Sequence, residues 1–256
     1  MFNLSGRTAL ITGSSAGIGL ALAQGLLSAG ARVVLNGRDE GKLQRSAERL
    51  RGLLPEADAG RVLWQAFDVT QAESVQAGVL AVEQQVGQID ILINNAGMTY
   101  RSPLDQFPPE QWQRIMSTNL DSAFLVSRAV VPAMIQRGNG KIVNICSVQS
   151  ELGRPGIAPY AASKGALKML TKGMAIDWGR HGIQVNGLGP GYFKTELTQS
   201  LVADQAFSAW LVNRTPSARW GDVEDLVGAA IFLSSDASRF VNGHILYVDG
   251  GVTATL

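Results

Sequence analysis

Seven short runs rich in β-branched and other apolar residues punctuate the chain, at positions 8–12, 31–36, 61–67, 89–95, 140–147, 183–188 and 244–250. Each has the length of a strand. The segments between them at 18–29, 40–53, 72–86, 111–135 and 160–179 repeat apolar positions at a spacing near 3.6, as helices that bury one face do. Strands alternating with helices predict an α/β fold, a parallel sheet covered on both faces and wound in both directions from its middle. Right-handed crossovers then put the ligand crevice beyond the carboxyl ends of the strands, near the point where strand order reverses. No linker or repeat interrupts the pattern, so residues 1–256 read as a single domain. The longest stretch without a strand pattern, 190–222, is placed to form a helical lid over the crevice.

Composition narrows the chemistry. With 256 residues, 46% of them hydrophobic, the chain can bury a sizeable core without metal or disulfide staples. Cys146 is its one cysteine, and His181 and His244 are its two histidines, so neither an internal disulfide nor a Cys/His metal site is expected. That usage suits a reducing cytoplasm. The start "MFNLSGRTALITG" lacks the basic flank and apolar run of a signal peptide, and no stretch approaches the ~20 apolar residues that cross a bilayer. A net charge of +1 without basic runs gives no reason to expect nucleic acid or a membrane as partner. A small-molecule substrate is the remaining expectation.

The first run leads into "TGSSAGIGLALAQGL", where Gly13, Gly17 and Gly19 crowd a strand-to-helix turn together with Ser15 and Ile18. Glycines there allow a tight turn and let backbone N–H groups approach a pyrophosphate at the positive end of a helix. The spacing G-x-x-x-G-x-G is modest evidence alone, but its position at the head of a βαβ unit points to a Rossmann-type dinucleotide fold. The ribose-reading position lies ~20 residues on, in "VVLNGRDE". Asn36 and Gly37 stand where an NAD enzyme is expected to carry a carboxylate, and Arg38 follows; a guanidinium suits a 2'-phosphate, which favours NADP(H) over NAD. The competing reading is a solvated loop arginine.

In "IAPYAASKGAL", Tyr160 and Lys164 are one helical turn apart and share a face, with Pro159 suited to the first turn. A free tyrosine titrates near 10, so proton transfer at pH 7 needs a shift of ~3 units, and a neighbouring ammonium supplies ~1–3 of them. A tyrosine in the core with a snorkelling lysine is the alternative for an isolated pair. Ser147, however, closes the strand "GKIVNICS" at a carboxyl end, where its hydroxyl can hold a substrate oxygen. Cys146 is expected on the opposite side of that strand as a small buried hydrophobe.

The motifs "TGSSAGIG", "NNAG" (94–97), Asn119 in "MSTNLDSAF", Ser147, "YAASK" and "GPGYFKT" (189–195) occur in the order and at the spacing of the short-chain dehydrogenase/reductase family, which the chain resembles over essentially its whole length. The resemblance implies that Ser147 orients a carbonyl or hydroxyl, that Tyr160 is the acid/base, that Lys164 lowers its pKa and holds the nicotinamide ribose, and that Asn119 completes a proton relay. It also places Asp68 and Val69 against the adenine. Asn94, Ala96 and Gly97 would follow the adenosine ribose, with Pro190, Gly191 and Thr195 near the nicotinamide amide and pyrophosphate. One departure is Ala16, where NADP-using members often carry a basic residue, leaving Arg38 as the main phosphate contact. A homotetramer is a further implication of the resemblance.

Runs such as "SVQSELGRPGIAPY" and "RTPSARWG" are similar to those of sugar-acid members, so a carboxylate-bearing substrate is expected. Arg101 is the first candidate for that carboxylate and Arg154 the second, with Gln149 as a hydroxyl contact and Glu151 near the mouth of the crevice. Phe207, Trp210 and Trp220 are read as lid packing or a subunit interface. A short-chain reductase of another carbonyl, a 3-oxoacyl thioester or a polyol ketone, and a non-catalytic dinucleotide sensor are the competing functions.

Overall fold

Successive residues of a strand face opposite sides of its sheet, and here both sides are apolar. In the computed structural model, which describes residues 1–255, Ala9, Ile11, Val33, Leu35, Ile91 and Ile93 pack into one core, while Leu10, Val34 and Leu92 pack into a second on the other face. The strands are β1 (Thr8–Ile11), β2 (Arg32–Gly37), β3 (Val62–Ala66), β4 (Ile91–Asn94), β5 (Gly140–Ile145), β6 (Ile183–Pro190) and β7 (Ile245–Val248). All seven are parallel and run in the order β3-β2-β1-β4-β5-β6-β7, the doubly wound, Rossmann-type sheet that the alternation predicts. The order reverses between β1 and β4.

The helices are α1 (Gly17–Ser28), α2 (Glu40–Arg51), α3 (Ala72–Val86), α4 (Pro109–Met116), α5 (Ser122–Arg137), α6 (Ala158–Trp178), α7 (Gln199–Ala203), α8 (Gln205–Arg214) and α9 (Val227–Ser234). Residues of α1, α2 and α9 cover the first core, and residues of α3, α5 and α6 cover the second. The helix expected at 111–135 differs from the structure. It begins earlier, with Pro109 in its first turn, and is divided by a π-helical turn, Ser117–Asp121, that carries Asn119. A π turn admits one extra residue and rotates the helix beyond it, which a spacing near 3.6 does not reveal. Helix α5 stops at Gly138, whose φ of +67° is the left-handed conformation that glycine adopts freely.

The stretch 190–222 folds as a short 3₁₀ turn (Glu196–Thr198) followed by α7 and α8, around a satellite cluster of Leu201, Leu211 and Trp220 with Tyr192 and Phe207 against it. Trp220 is buried and its indole N–H donates to Ser208 at 2.7 Å, whereas Trp210 is half exposed. Helix α9 has no counterpart among the expected helices, since its eight residues VGAAIFLS show no polar face. It crosses α1 at Gly25, where a Cβ would lie 2.3 Å from Val227 Cγ1. Gly25→Ala is therefore expected to lower stability by about 1–3 kcal/mol through overpacking, and thermal denaturation of the Gly25→Ala/Val227→Ala pair should recover most of the loss.

Candidate active site

At the reversal point, the carboxyl ends of β1 and β4 are stitched together. Thr12 Oγ1 accepts from the Asn95 and Ala96 amides at 3.0 and 3.1 Å, and the Asn95 side chain donates to the carbonyls of Thr12 and Gly13 at 2.9 Å each. The turn between them needs its glycines. Gly13 has φ +61° and Gly17 φ +58°, and a Cβ on Gly19 would lie 2.4 Å from Asn95 Nδ2 and 2.7 Å from the Gly13 carbonyl.

Helix α1 starts from an extended Ala16 with no side-chain cap and no acidic residue in its first turn, so its first N–H groups and positive dipole end are left for an anion. No atom lies within 4 Å of the position a Cβ on Gly17 would take. An uncapped helix end beside open space fits a pyrophosphate.

A cleft of about 770 Å³ runs along this edge. Gly13, Ser15, Gly17, Ile18, Gly19, Asn36, Arg38, Asp68, Val69, Ala96, Gly97, Ser147, Tyr160, Lys164, Pro190, Gly191 and Thr195 all line it. Asn94 does not. It is buried at the end of β4 and donates to Ser127 Oγ at 2.9 Å and to Asn144 Oδ1 at 2.8 Å, while Asn144 donates to Thr171 Oγ1. Strand alternation explains the correction: Asn94 shares the face of Leu92, toward α5 and α6, and its neighbour Asn95 turns to the cleft. Thr12 and Asn95 are not among the expected site residues, although "NNAG" contains the asparagine that does the stitching.

At the far end of the cleft, Asn36 donates to the carbonyls of Gln65 and Phe67 at 3.2 Å each, tying β2 to β3. Arg38 is exposed on the cleft wall with no salt-bridge partner among the described residues. Burial pushes the Asp68 carboxyl up, but the Thr70 amide and hydroxyl that it accepts from, with Arg38 beyond, outweigh this and hold it below the usual carboxylate range.

The catalytic candidates converge at the ends of β5 and α6. Ser147 is extended, nearly buried, and its Oγ accepts from the Gln149 amide at 3.1 Å. Pro159 sits in the first turn of α6, and one turn places Lys164 Nζ 5.8 Å from the centre of the Tyr160 ring. Lys164 is 4% exposed and donates to the Ile145 carbonyl at 2.6 Å; burial pushes its ammonium down to about 8.

Burial also raises the Tyr160 phenol above its ordinary value, and nearby Ser147 pulls it only part of the way back. The Lys164 ammonium faces the ring and the Ile145 carbonyl. Cys146 packs with Ala123, Leu167 and Ile245, and burial pushes its thiol up to about 11, so it is no nucleophile at neutral pH.

Asn119 is buried with its amide engaged. It accepts from the Met98 amide at 2.8 Å and donates to the Met98 carbonyl and to Ser163 Oγ at 3.0 Å each. The π turn brings this side chain across to brace the loop after β4 against α6, and Ser163 is a partner that the sequence does not suggest.

Arg101, Gln149 and Arg154 lie outside the cleft lining and gather around Tyr192. Gln149 Nε2 donates to the Tyr192 hydroxyl at 3.3 Å, Arg154 stacks over the Phe207 ring at 5.0 Å, and Arg101 makes a long contact of 3.4 Å with Ser200 Oγ. Burial, with Arg154 nearby, pushes the Arg101 guanidinium below its ordinary value. Glu151 is a correction: it turns outward, accepting from Lys168 and from the Tyr247 hydroxyl rather than joining this group.

A family model described as enoyl-(acyl carrier protein) reductase matches residues 13–253. Gluconate 5-dehydrogenase of Gluconobacter oxydans is 58% identical over 256 residues, covering 100% of this chain and 98% of that protein. The 5-keto-D-gluconate 5-reductase of Escherichia coli is 51% identical over 252 residues, covering 98% of this chain and 97% of the relative. Among solved structures, a gluconate 5-dehydrogenase from Burkholderia cenocepacia in complex with NADP and tartrate matches with a TM-score of 0.95 at 57% identity, covering 100% of this chain and 98% of that one. A glycine turn that opens a helix to a dinucleotide, Ser147, Tyr160 and Lys164 beside the cleft, and these full-length likenesses lead to one conclusion: the chain belongs to the short-chain dehydrogenase/reductase family.

Proposed function

We propose that this chain is an NADP(H)-dependent oxidoreductase that interconverts D-gluconate and 5-keto-D-gluconate. The observation that carries the reading is the meeting of Ser147, Tyr160 and Lys164 on a dinucleotide-sized cleft, beside two arginines that have no carboxylate partner among the described residues. The relatives named for gluconate and 5-ketogluconate, and the neighbour that holds NADP and the hydroxydicarboxylate tartrate, support the substrate class and cofactor.

A bound nicotinamide would supply the hydride chemistry at C5. The chain's own residues handle the rest. The α1 N-terminus and the turn at Gly13 and Gly17 would hold the pyrophosphate, and Arg38 would take the 2'-phosphate. Ser147 fixes the C5 oxygen by hydrogen bonding. Tyr160 receives that oxygen's proton as the alcohol becomes a ketone and returns it in the reverse direction. Proton acceptance draws on the positive charge of Lys164, 5.8 Å from the centre of the ring. Asn119 keeps the loop at Met98 and helix α6 at fixed separation.

Among the described residues no helix is long and apolar enough to cross a membrane; the single cysteine, Cys146, supports a reducing cytoplasm as the enzyme's compartment. The enzyme works as a homotetramer, and the exposure of Phe124 on α5 and of Met169 and Ile176 on α6, at 47%, 61% and 79%, supports helix-to-helix contact between copies.

Purified protein should oxidise NADPH with 5-keto-D-gluconate far faster than with the 2-keto isomer or a 3-oxoacyl thioester, and faster than it oxidises NADH; efficient turnover of the thioester instead would overturn the substrate. Tyr160→Phe should lower kcat about 100- to 10,000-fold with little change in NADPH binding, and loss of turnover in that variant separates an enzyme from a dinucleotide sensor.

Lys164 gives a test of opposite sign for stability. Its folded pKa of about 8 lies below the ordinary 10.5, so the unfolded chain binds more protons between those values and stability rises with pH across that window. Below pH 8 the full destabilisation is present. Lys164→Met should therefore be inactive yet melt higher than the cofactor-free wild type at pH 7, and the gap should narrow as pH rises from 8 to 10.5, by thermal scans across that range.

A further inference from the structure

The site around Tyr192 contains polar groups that the protein itself leaves unmatched. Tyr192 follows Gly191, which is pinned against Asp249, with a Cβ there only 2.7 Å from the Asp249 Cα. Its ring is fixed between Phe207, 5.8 Å between centroids, and Trp220, edge-on at 6.0 Å. The hydroxyl oxygen already accepts from Gln149, which leaves the O–H proton to donate, and no acceptor for it occurs among the described residues. Gln149 Oε1 and Arg154 Nε are both shut away from solvent without a partner. Neither Arg101 nor Arg154 has a carboxylate within salt-bridge distance among the described residues, and the acid nearest in sequence, Glu151, is engaged with Lys168 and Tyr247.

A buried donor left unpaired and two like charges near each other without a carboxylate are unfavourable, and a bound carboxylate relieves both. Three sets of donors (Tyr192 O–H, Arg154 and Arg101) with one acceptor (Gln149 Oε1) complement a hydroxy acid, whose carboxylate accepts and whose hydroxyls donate. A thioester or a neutral ketose offers no such charge.

We propose that Tyr192 is a substrate-binding, specificity-determining residue whose O–H donates to the carboxylate of the sugar acid between Arg101 and Arg154, while Gln149 Oε1 accepts from a substrate hydroxyl. The inference rests on the sugar-acid reading above. Gln149 sits two residues from Ser147, so the carboxylate end is anchored from the same loop that positions the reacting oxygen. The fixed aromatic ring makes Tyr192 a rigid ruler for the distance between the two ends. In the sequence, "GPGYFKT" draws attention to its glycine, proline and threonine rather than to the tyrosine between them.

The test compares 5-keto-D-gluconate with L-sorbose, which carries CH₂OH in place of the carboxylate on the same 5-keto skeleton. Tyr192→Phe keeps the ring and its packing, and an unchanged melting curve checks the fold. The variant should raise KM for the keto acid about tenfold or more, as loss of a hydrogen bond to a charged group does, with kcat and the KM for NADPH little changed and L-sorbose turnover within about twofold. An equal loss for both substrates, or no change for the acid, overturns the assignment. Failure of the sugar-acid reading shows separately, as a wild type that turns over no keto acid. In that event calorimetry of D-gluconate against D-glucitol on the NADPH-loaded wild type and Tyr192→Phe decides the role, and a gluconate preference that is absent or identical in the two proteins overturns it.

Discussion

The hydrogen-bonded stitch between Thr12, Gly13, Asn95 and Ala96 is the constraint on which the active cleft depends. A parallel sheet whose winding reverses direction leaves its two middle strands diverging at their carboxyl ends, and a wedge of unpaired backbone opens there. Closing it with backbone pairing would use up the N–H groups a dinucleotide needs, and leaving it loose would forfeit their position. One threonine hydroxyl and one asparagine amide satisfy the backbone on the inner side of the wedge, so the N–H groups at the start of α1 remain turned outward. Gly19 is required because the asparagine occupies the space of a Cβ.

A second theme is positive charge held without partners. The uncapped α1 terminus, exposed Arg38 and buried Lys164 line the cleft, and the Arg101 and Arg154 pair stands outside it around Tyr192. The acids that do lie close are occupied elsewhere: Asp68 by Thr70, and Glu151 by Lys168 and Tyr247. Such a site is matched to ligands that bring their own negative charge, as a phosphorylated dinucleotide and a sugar acid both do, and it discriminates through groups that only the right ligand satisfies.

The proposed catalytic pair also shows what the fold itself supplies. Geometry is set by the protein: one turn of α6 presents both groups to the cleft, with Ser147 placed by the end of β5. Burial raises the Tyr160 phenol above its ordinary value.

Much of this is legible in the chain. Alternating apolar runs determine the parallel sheet and its two cores, the glycine turn marks the phosphate end, and the four-residue spacing of Tyr160 and Lys164 puts them on one face, because each is set by interactions local in sequence or by a two- or 3.6-residue period. Tertiary structure alone decides the rest. The π turn that carries Asn119 across to Met98 and Ser163, the diversion of Asn94 into the core while Asn95 meets the cleft, the outward turn of Glu151, and the meeting of Arg101, Gln149, Arg154 and Tyr192 from three separate loops all depend on contacts between distant segments. A sequence pattern records which face of an element is apolar; which polar side chains meet across the cleft is fixed by long-range packing and by the satisfaction of buried hydrogen bonds, and neither is periodic.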